Sequence, residues 1–392
     1  MLVQAAANRW QVAPASCRAA GGYVLHDASG RKENYGALAE DAAKLDAPKE
    51  LKLKDPKDFQ MIGKLTKKLH AKEKVCGQQK YSIDLKRPGM LVASIQRSPV
   101  INGRVISFDA KAALAIPGVR QVLKVPAAPA SVLGGNQEGV AVLADDYWTA
   151  KQGRAALKIT WDKGKFAHFN SADLAQQQAA YLSQPDIQIV PTIRTGNVDD
   201  ALKNAAKVLS AEYTMPYKVA SPLEPQCVVV EVKNGKVTFW GGLQVPSYAL
   251  EAAKVLVGAS ADQVQLNEIL SGGSFGARES KYWLYEAVYL AKISGIPIKL
   301  LNSREDEIQA LFYHPASYHK LTGGLDAQGN LSALQLRTVV PASPEEWEPG
   351  YDERKDKMDY STTEAISKGD FSYRPQHLDL AWVRHETGVP TG

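Results

Sequence analysis

Apolar positions along this chain recur at two periods, and the period switches where glycine, proline and asparagine gather. Leu2, Ala5, Ala6 and Trp10 fall near one helical face, so "MLVQAAANRWQV" reads as helix, begun as if in mid-course. "GGYVLHDASGRKENYGALAEDAAKL" reads as strand, Gly-rich turn and helix, with Leu38, Ala42 and Leu45 on one face of the helix. "DAPKELKLKDPKDF" is polar, broken by proline, and fits a connector. From about 80 to 165 the texture changes. "GMLVASIQRSP", "RQVLKVP", "GVAVLA" and "KITWD" are strands by β-branched content, "ISFDAKAALAIPGV" is a short helix ended by Pro117-Gly118, and "DDYWTAKQGRAAL" is an amphipathic helix with Asp145 or Asp146 as N-cap.

Beyond 205 strands dominate: "KVLSAEYTMPY", then "CVVVEVKNGKVTFWGG" with Asn234-Gly235 as its hairpin turn. A helix over 246–257 carries Ala249, Ala252, Ala253 and Leu256 at i, i+3, i+4, i+7, and strand "QVQLNEIL" leads from it into Gly272. The next helix, "KYWLYEAVYLAKISG", repeats the stripe at Leu284, Ala287, Val288 and Ala291. Strand "PIKLLNS", the charged "REDE" and a hairpin through "LDAQGNL" follow. Past about 342 the chain turns polar, an extended surface excursion, before "AWVRHETGVPTG" resumes a strand. The fold class is therefore α+β.

Composition narrows the function classes. At 392 residues, two or three domains are expected. Charge is nearly balanced, 47 basic against 42 acidic residues, with no basic block interleaved with aromatics, so nucleic-acid binding is disfavoured. "GKLTKKLHAKEK" reads as a solvated segment rather than a binding patch. Cys17, Cys76 and Cys227 lie far apart with no metal-type spacing. No apolar run approaches the ~18 residues of a membrane span, and the amino end lacks a signal-peptide pattern. His314 and His319 lie five apart, off the i, i+4 spacing of a helical metal pair, and read as ordinary histidines. "REDE" reads as a helix-start or loop charge cluster.

The stretch "ILSGGSFGARES" is where chemistry concentrates. Glycines before a helix could present backbone N–H groups to an anion. No Gly-Lys-Ser/Thr ends it, and the G-x-G-x-x-G spacing is absent, so a nucleotide loop fails on spacing. A generic tight turn accounts for the spacing as well as an anion site does. Phe275 weighs against the turn, because a turn alone has little use for a large aromatic between Ser274 and Gly276. By itself, Gln244 just ahead of Pro246 could be no more than a capping amide.

In order, "SPLEPQCVVVEV", "FWGGLQVPSYALEAAKVLVGASADQVQLNEILSGGSFGAR" and "EAVYLAKISGIPIKLLNSREDE" resemble the molybdenum-binding subunit of the xanthine dehydrogenase/aldehyde oxidase family, most of all its isoquinoline 1-oxidoreductase β-subunit type. The resemblance implies an N-terminal segment over 1–78 similar to part of a molybdopterin-binding domain. It implies an a/b hammerhead domain over 79–165, a linker and helix over 166–204, and a molybdopterin-binding domain over 205–392 that is truncated. It implies a molybdopterin cytosine dinucleotide whose molybdenum is held by the pterin dithiolene, with no metal ligand from this chain. Gly272, Gly273, Ser274, Phe275, Gly276 and Arg278 would bind the cofactor, Arg278 by screening phosphate or by ordering the loop. Gln244 and Phe275 would be the catalytic residues beside the metal, and Glu279 would bind substrate.

The implied reaction is hydroxylation of an aldehyde or an aromatic N-heterocycle with water as oxygen source. Electrons would pass to iron–sulfur clusters on a partner, a small [2Fe-2S] subunit, with a cytochrome c as a further candidate. The compartment, periplasmic or cytoplasmic, stays open. Ser274 replaces the family's third glycine, Ala277 stands where many relatives have arginine, and Ala220 where relatives often have histidine. The general-base glutamate is expected outside this chain. An inactive fragment or cofactor-free scaffold that binds a partner is the alternative.

Overall fold

A computed structural model describes all residues except 52, 130–131, 133–136, 185–186, 311, 343–358, 360–362 and 364–371. The expected polar excursion past 342 falls mostly outside the described residues. The chain divides into two compact units, Met1–Cys76 and Gly77–Gly392.

In the first unit, helix Leu2–Trp10 packs on helix Tyr35–Ala43 beside strands β1 (Arg18–Ala20), β2 (Tyr23–His26) and β3 (Arg31–Asn34). Ala6, Val24 and Leu38 form its small core. Small side chains at Ala5, Ala6 and Ala7 permit the close helix approach. Asn34 caps the second helix, its side chain accepting from the Ala37 N–H at 2.8 Å.

The second unit continues with β4 (Leu91–Arg97), β5 (Arg104–Asp109), β6 (Val119–Val125), β7 (Gly139–Ala144) and β8 (Lys158–Asp162). Then come β9 (Ile189–Thr195), β10 (Lys207–Met215), β11 (Cys227–Lys233), β12 (Lys236–Gly241), β13 (Val264–Glu268) and β14 (Ile298–Leu301). The last are β15 (Ser317–Leu325), β16 (Leu331–Val340) and β17 (His377–Arg384). Seven of these form one sheet in the order β13-β12-β11-β14-β4-β7-β6. Strands from 79–165 and from beyond 205 thus share a single sheet, joined where β14 runs parallel to β4. A second sheet has the order β10-β15-β16-β17-β9, and β5 pairs with β8 alone.

Helix Tyr282–Ser294 packs on β11 and β14, and helix Ser247–Val257 lies against it. The stripe expected at Leu284, Ala287, Val288 and Ala291 is buried, but so are Tyr282, Trp283, Tyr285 and Glu286, so the helix is enclosed on nearly every side. Such enclosure needs its polar groups paired. Arg97 at the end of β4 meets that need: its Nε donates to Glu286 Oε1 at 2.9 Å. Burial works against the Arg97 charge, yet the Glu286 carboxylate raises its pKa overall. "ISFD", expected within a helix, instead belongs to β5, where Phe108 pairs opposite Ile159 of β8; only Lys111–Leu114 is helical. Strand β9 and helix Ser171–Tyr181 occupy the stretch read as linker and helix.

Candidate functional site

Strands β12 and β13 are parallel, with Gly241 opposite Glu268, and helix Ser247–Val257 joins them. A strand–helix–strand unit brings the carboxyl ends of both strands to the same edge, where connecting loops can form a site. Gln244 leaves one strand end and the loop Gly272–Gly276 leaves the other. They approach so closely that a Cβ on Gly242 would lie 2.5 Å from Ser271 Cβ.

The loop backbone runs through conformations that favour glycine, φ +99° at Gly273 and +89° at Gly276. Phe275 takes φ +53°, rare for an aromatic residue, and its ring is 73% exposed. Buried backbone groups of a folded chain are nearly all paired within it, whereas solvent-accessible ones can bond water. Here the N–H groups of Gly273, Ser274, Phe275 and Gly276 have no hydrogen-bond partner among the described residues, whereas Ala277 N donates to Ser274 O at 3.0 Å. Four consecutive donors beside an exposed ring are thereby left to solvent or to a ligand.

Side chains around the loop are linked. Gln244 Nε2 donates to Glu279 Oε1 at 2.7 Å, and the Ser274 hydroxyl donates to Gln244 Oε1. That hydroxyl in turn accepts from Arg278 N at 3.1 Å. The amide of Gln244 is therefore set with oxygen toward Ser274 and nitrogen toward Glu279. Arg278 is 1% exposed. Its Nε donates to Gly273 O at 3.1 Å, and its Nη2 to Glu224 O at 3.1 Å and Glu224 Oε2 at 3.0 Å. Burial lowers the Arg278 pKa, and the Glu224 carboxylate opposes that shift. All the residues singled out in the sequence, Gln244, Gly272, Gly273, Ser274, Phe275, Gly276, Arg278 and Glu279, thus lie in one region. Arg278 sits beneath the loop within hydrogen bonds of the chain itself, the arrangement of a loop-ordering side chain. A cavity of about 180 Å³ beside the loop is lined by Ala220, Phe275, Glu279, Phe312 and His314.

Three supports were not read as such from the sequence, although Glu224 and Gln226 lie in the quoted "SPLEPQCVVVEV". Glu224, within the "EP" strand start, lies under the loop and accepts from Gly272 N at 2.8 Å. Gln226 is buried and donates to Ala277 O at 2.6 Å. Glu307, part of "REDE", begins as a helix-start residue and ends fully buried, accepting from Gln226 N at 2.7 Å. Burial raises its pKa. Only the pairing of distant segments reveals them.

A family profile for the Molybdopterin cofactor-binding domain matches residues 182–350, which include β12, β13 and the whole loop. The chain is 26% identical over 349 residues to isoquinoline 1-oxidoreductase subunit beta of Brevundimonas diminuta, covering 79% of this chain and 43% of that protein. The chain is similar, over most of its length, to the large subunits of molybdenum hydroxylases. A nicotinate dehydrogenase large molybdopterin subunit of Eubacterium barkeri is 27% identical, covering 71% of this chain and 70% of that one. The fold is that of the aldehyde oxidoreductase of Desulfovibrio gigas, with TM-score 0.61 over 83% of this chain and 38% of that one at 17% identity. The chain thus spans less than half the length of several of these large subunits. Its α+β fold is shared with that solved structure, and two of the relatives are named as subunits of larger enzymes.

Proposed function

We propose that this chain supplies the Gln244 and Gly272–Gly276 side of a molybdenum hydroxylase active site. There it would bind molybdopterin cytosine dinucleotide and act on an aldehyde or an aromatic N-heterocycle. The observation that carries this reading is the row of unpaired N–H groups from Gly273 to Gly276, alongside the oriented amide of Gln244. The donors suit an oxygen-rich anionic cofactor, because glycines at 272, 273 and 276 let the backbone come close to phosphate and oxo oxygens. When bound, the molybdenum supplies the oxygen-transfer chemistry with water as source, and its electrons leave to a small [2Fe-2S] partner subunit.

The chain's own residues bind and orient. Glu279 occupies one Gln244 N–H, leaving the other to donate to an oxygen of the bound cofactor. The acceptor-only carboxylate of Glu279 keeps the amide from turning over, and the Ser274 hydroxyl donates to the oxygen so presented. The exposed ring of Phe275 borders the cavity and offers a face on which a planar substrate stacks. Glu279 lines the same cavity and could accept from a substrate N–H with its second oxygen.

The test is the metal itself. The complex containing this chain, isolated from its natural locus, is assayed for molybdenum and cytosine dinucleotide per mole of chain. Near-stoichiometric values are expected. Their absence from a folded complex would replace this reading with that of a partner-binding scaffold.

A further inference from the structure

We infer that Glu224 is a positioning residue, which with Arg278 forms a buried clamp holding the Gly272–Gly276 loop so that its backbone donors stay available to the cofactor. The inference rests on the proposed cofactor site and names what keeps it open.

Glu224 is 6% exposed, and its carboxylate receives three donors from three places. Ile83 N reaches Oε1 at 3.0 Å, while Gly272 N at 2.8 Å and Arg278 Nη2 at 3.0 Å reach Oε2. The backbone of Glu224 pairs with the loop as well, its N–H donating to Gly272 O at 3.2 Å. A Cβ on Gly272 would lie 2.5 Å from Glu224 Cβ, so the loop sits directly on this residue. Arg278 completes the clamp from the other side, reaching Gly273 O at 3.1 Å and Gly242 O at 3.4 Å.

A buried ion pair is weak evidence of a stabilising role, since well-packed apolar residues of similar volume often serve stability as well. Apolar residues could not, however, satisfy Gly272 N, Gly273 O or Ile83 N. The charges on Glu224 and Arg278 are directed at backbone atoms of the loop and of its two flanking turns. That is what separates positioning from packing here.

The two roles part in the variant Glu224→Met/Arg278→Met. A merely structural pair would lower its thermal midpoint, because Gly272 N, Gly273 O and Ile83 N lose their partners, and would leave the folded fraction with the molybdenum content of the wild type. Positioning predicts, beyond that lower midpoint, a molybdenum content of the folded fraction lower by about tenfold and amide hydrogen exchange at Gly272 faster by about tenfold, as a charge-assisted hydrogen bond is lost. Glu224→Gln is the second variant, isosteric and able to keep one acceptor. It is expected to exchange faster at Gly272 while amides of Tyr282–Ser294 keep their wild-type rates. Unchanged exchange at Gly272 in Glu224→Gln overturns the inference, as does wild-type molybdenum content in the double variant. Exchange is read without cofactor, so a wild-type chain that never binds molybdenum would sink the proposed site and leave the clamp separately measurable.

Discussion

Gly272 has no room for a side chain, although its backbone angle lies outside the left-handed region that glycine alone favours. Its constraint is distance: the missing Cβ would meet Glu224 Cβ at 2.5 Å and Glu224 N at 3.3 Å. Gly276 is the opposite case, with φ +89° and open space where a Cβ would go. Gly272→Ala is therefore expected to push the loop off its base and cost about 1–3 kcal/mol, as overpacking does. Urea midpoints and molybdenum content measured on the same preparation check this. Alanine with wild-type values in both would show that the loop can move aside freely.

At the scale of elements, helix Tyr147–Ala155 illustrates how local chemistry decides boundaries. Asp146, one of two N-cap candidates, accepts from Thr149 N at 2.9 Å, while Asp145 pairs with Arg120 at 2.7 Å. Asp146→Ala should cost about 1 kcal/mol, in the range of lost N-caps, and Asp145→Ala less, since its exposed ion pair contributes little. Chemical denaturation of the two variants gives the ordering, and equal losses would mean that the cap is not the controlling contact.

The same contrast explains what was legible beforehand. Asn234-Gly235 announced its hairpin because two positive φ angles, +51° and +76°, demand those residues. Gln244 and the glycine loop were picked out through the resemblance of the ordered motifs, and the strand–helix–strand unit between them is why the two come together. Helix Tyr282–Ser294 was found but read as one-sided, because its polar residues are paired inside the protein rather than turned outward. Glu224, Gln226 and Glu307 stayed hidden. The loop and strand partners named above lie 48 to 141 positions away in sequence, a separation that no local period records. β5 was missed because "ISFD" runs straight into an alanine-rich helix, and only its pairing with β8 distinguishes it.

For the molecule as a whole, acid sensitivity follows from two histidines. His319 sits between the hydroxyls of Ser317 and Thr338, and His385 packs against Tyr181 with ring centroids 4.7 Å apart. Burial pushes both pKa values below the ordinary 6.5. The folded state thus holds them neutral where the unfolded chain would take up protons. Their contribution is complete above 6.5 and is lost as pH falls below it through the folded values. Urea midpoints should drop between about pH 7.5 and 5.5, and His319→Gln should flatten part of that drop. An identical slope in the variant would assign the acid sensitivity elsewhere.

Residues 236–280 hold β12, its partner β13, the helix between them, Gln244 and the glycine loop in one uninterrupted run. Such a run can travel between genes as a cassette, carrying its ligand-facing atoms in fixed mutual register. The socket beneath it is not included: Glu224 and Ile83 lie upstream, and Gln226 with them. A graft of 236–280 into a distant homologue would then succeed or fail on the host's socket rather than on the cassette's own sequence.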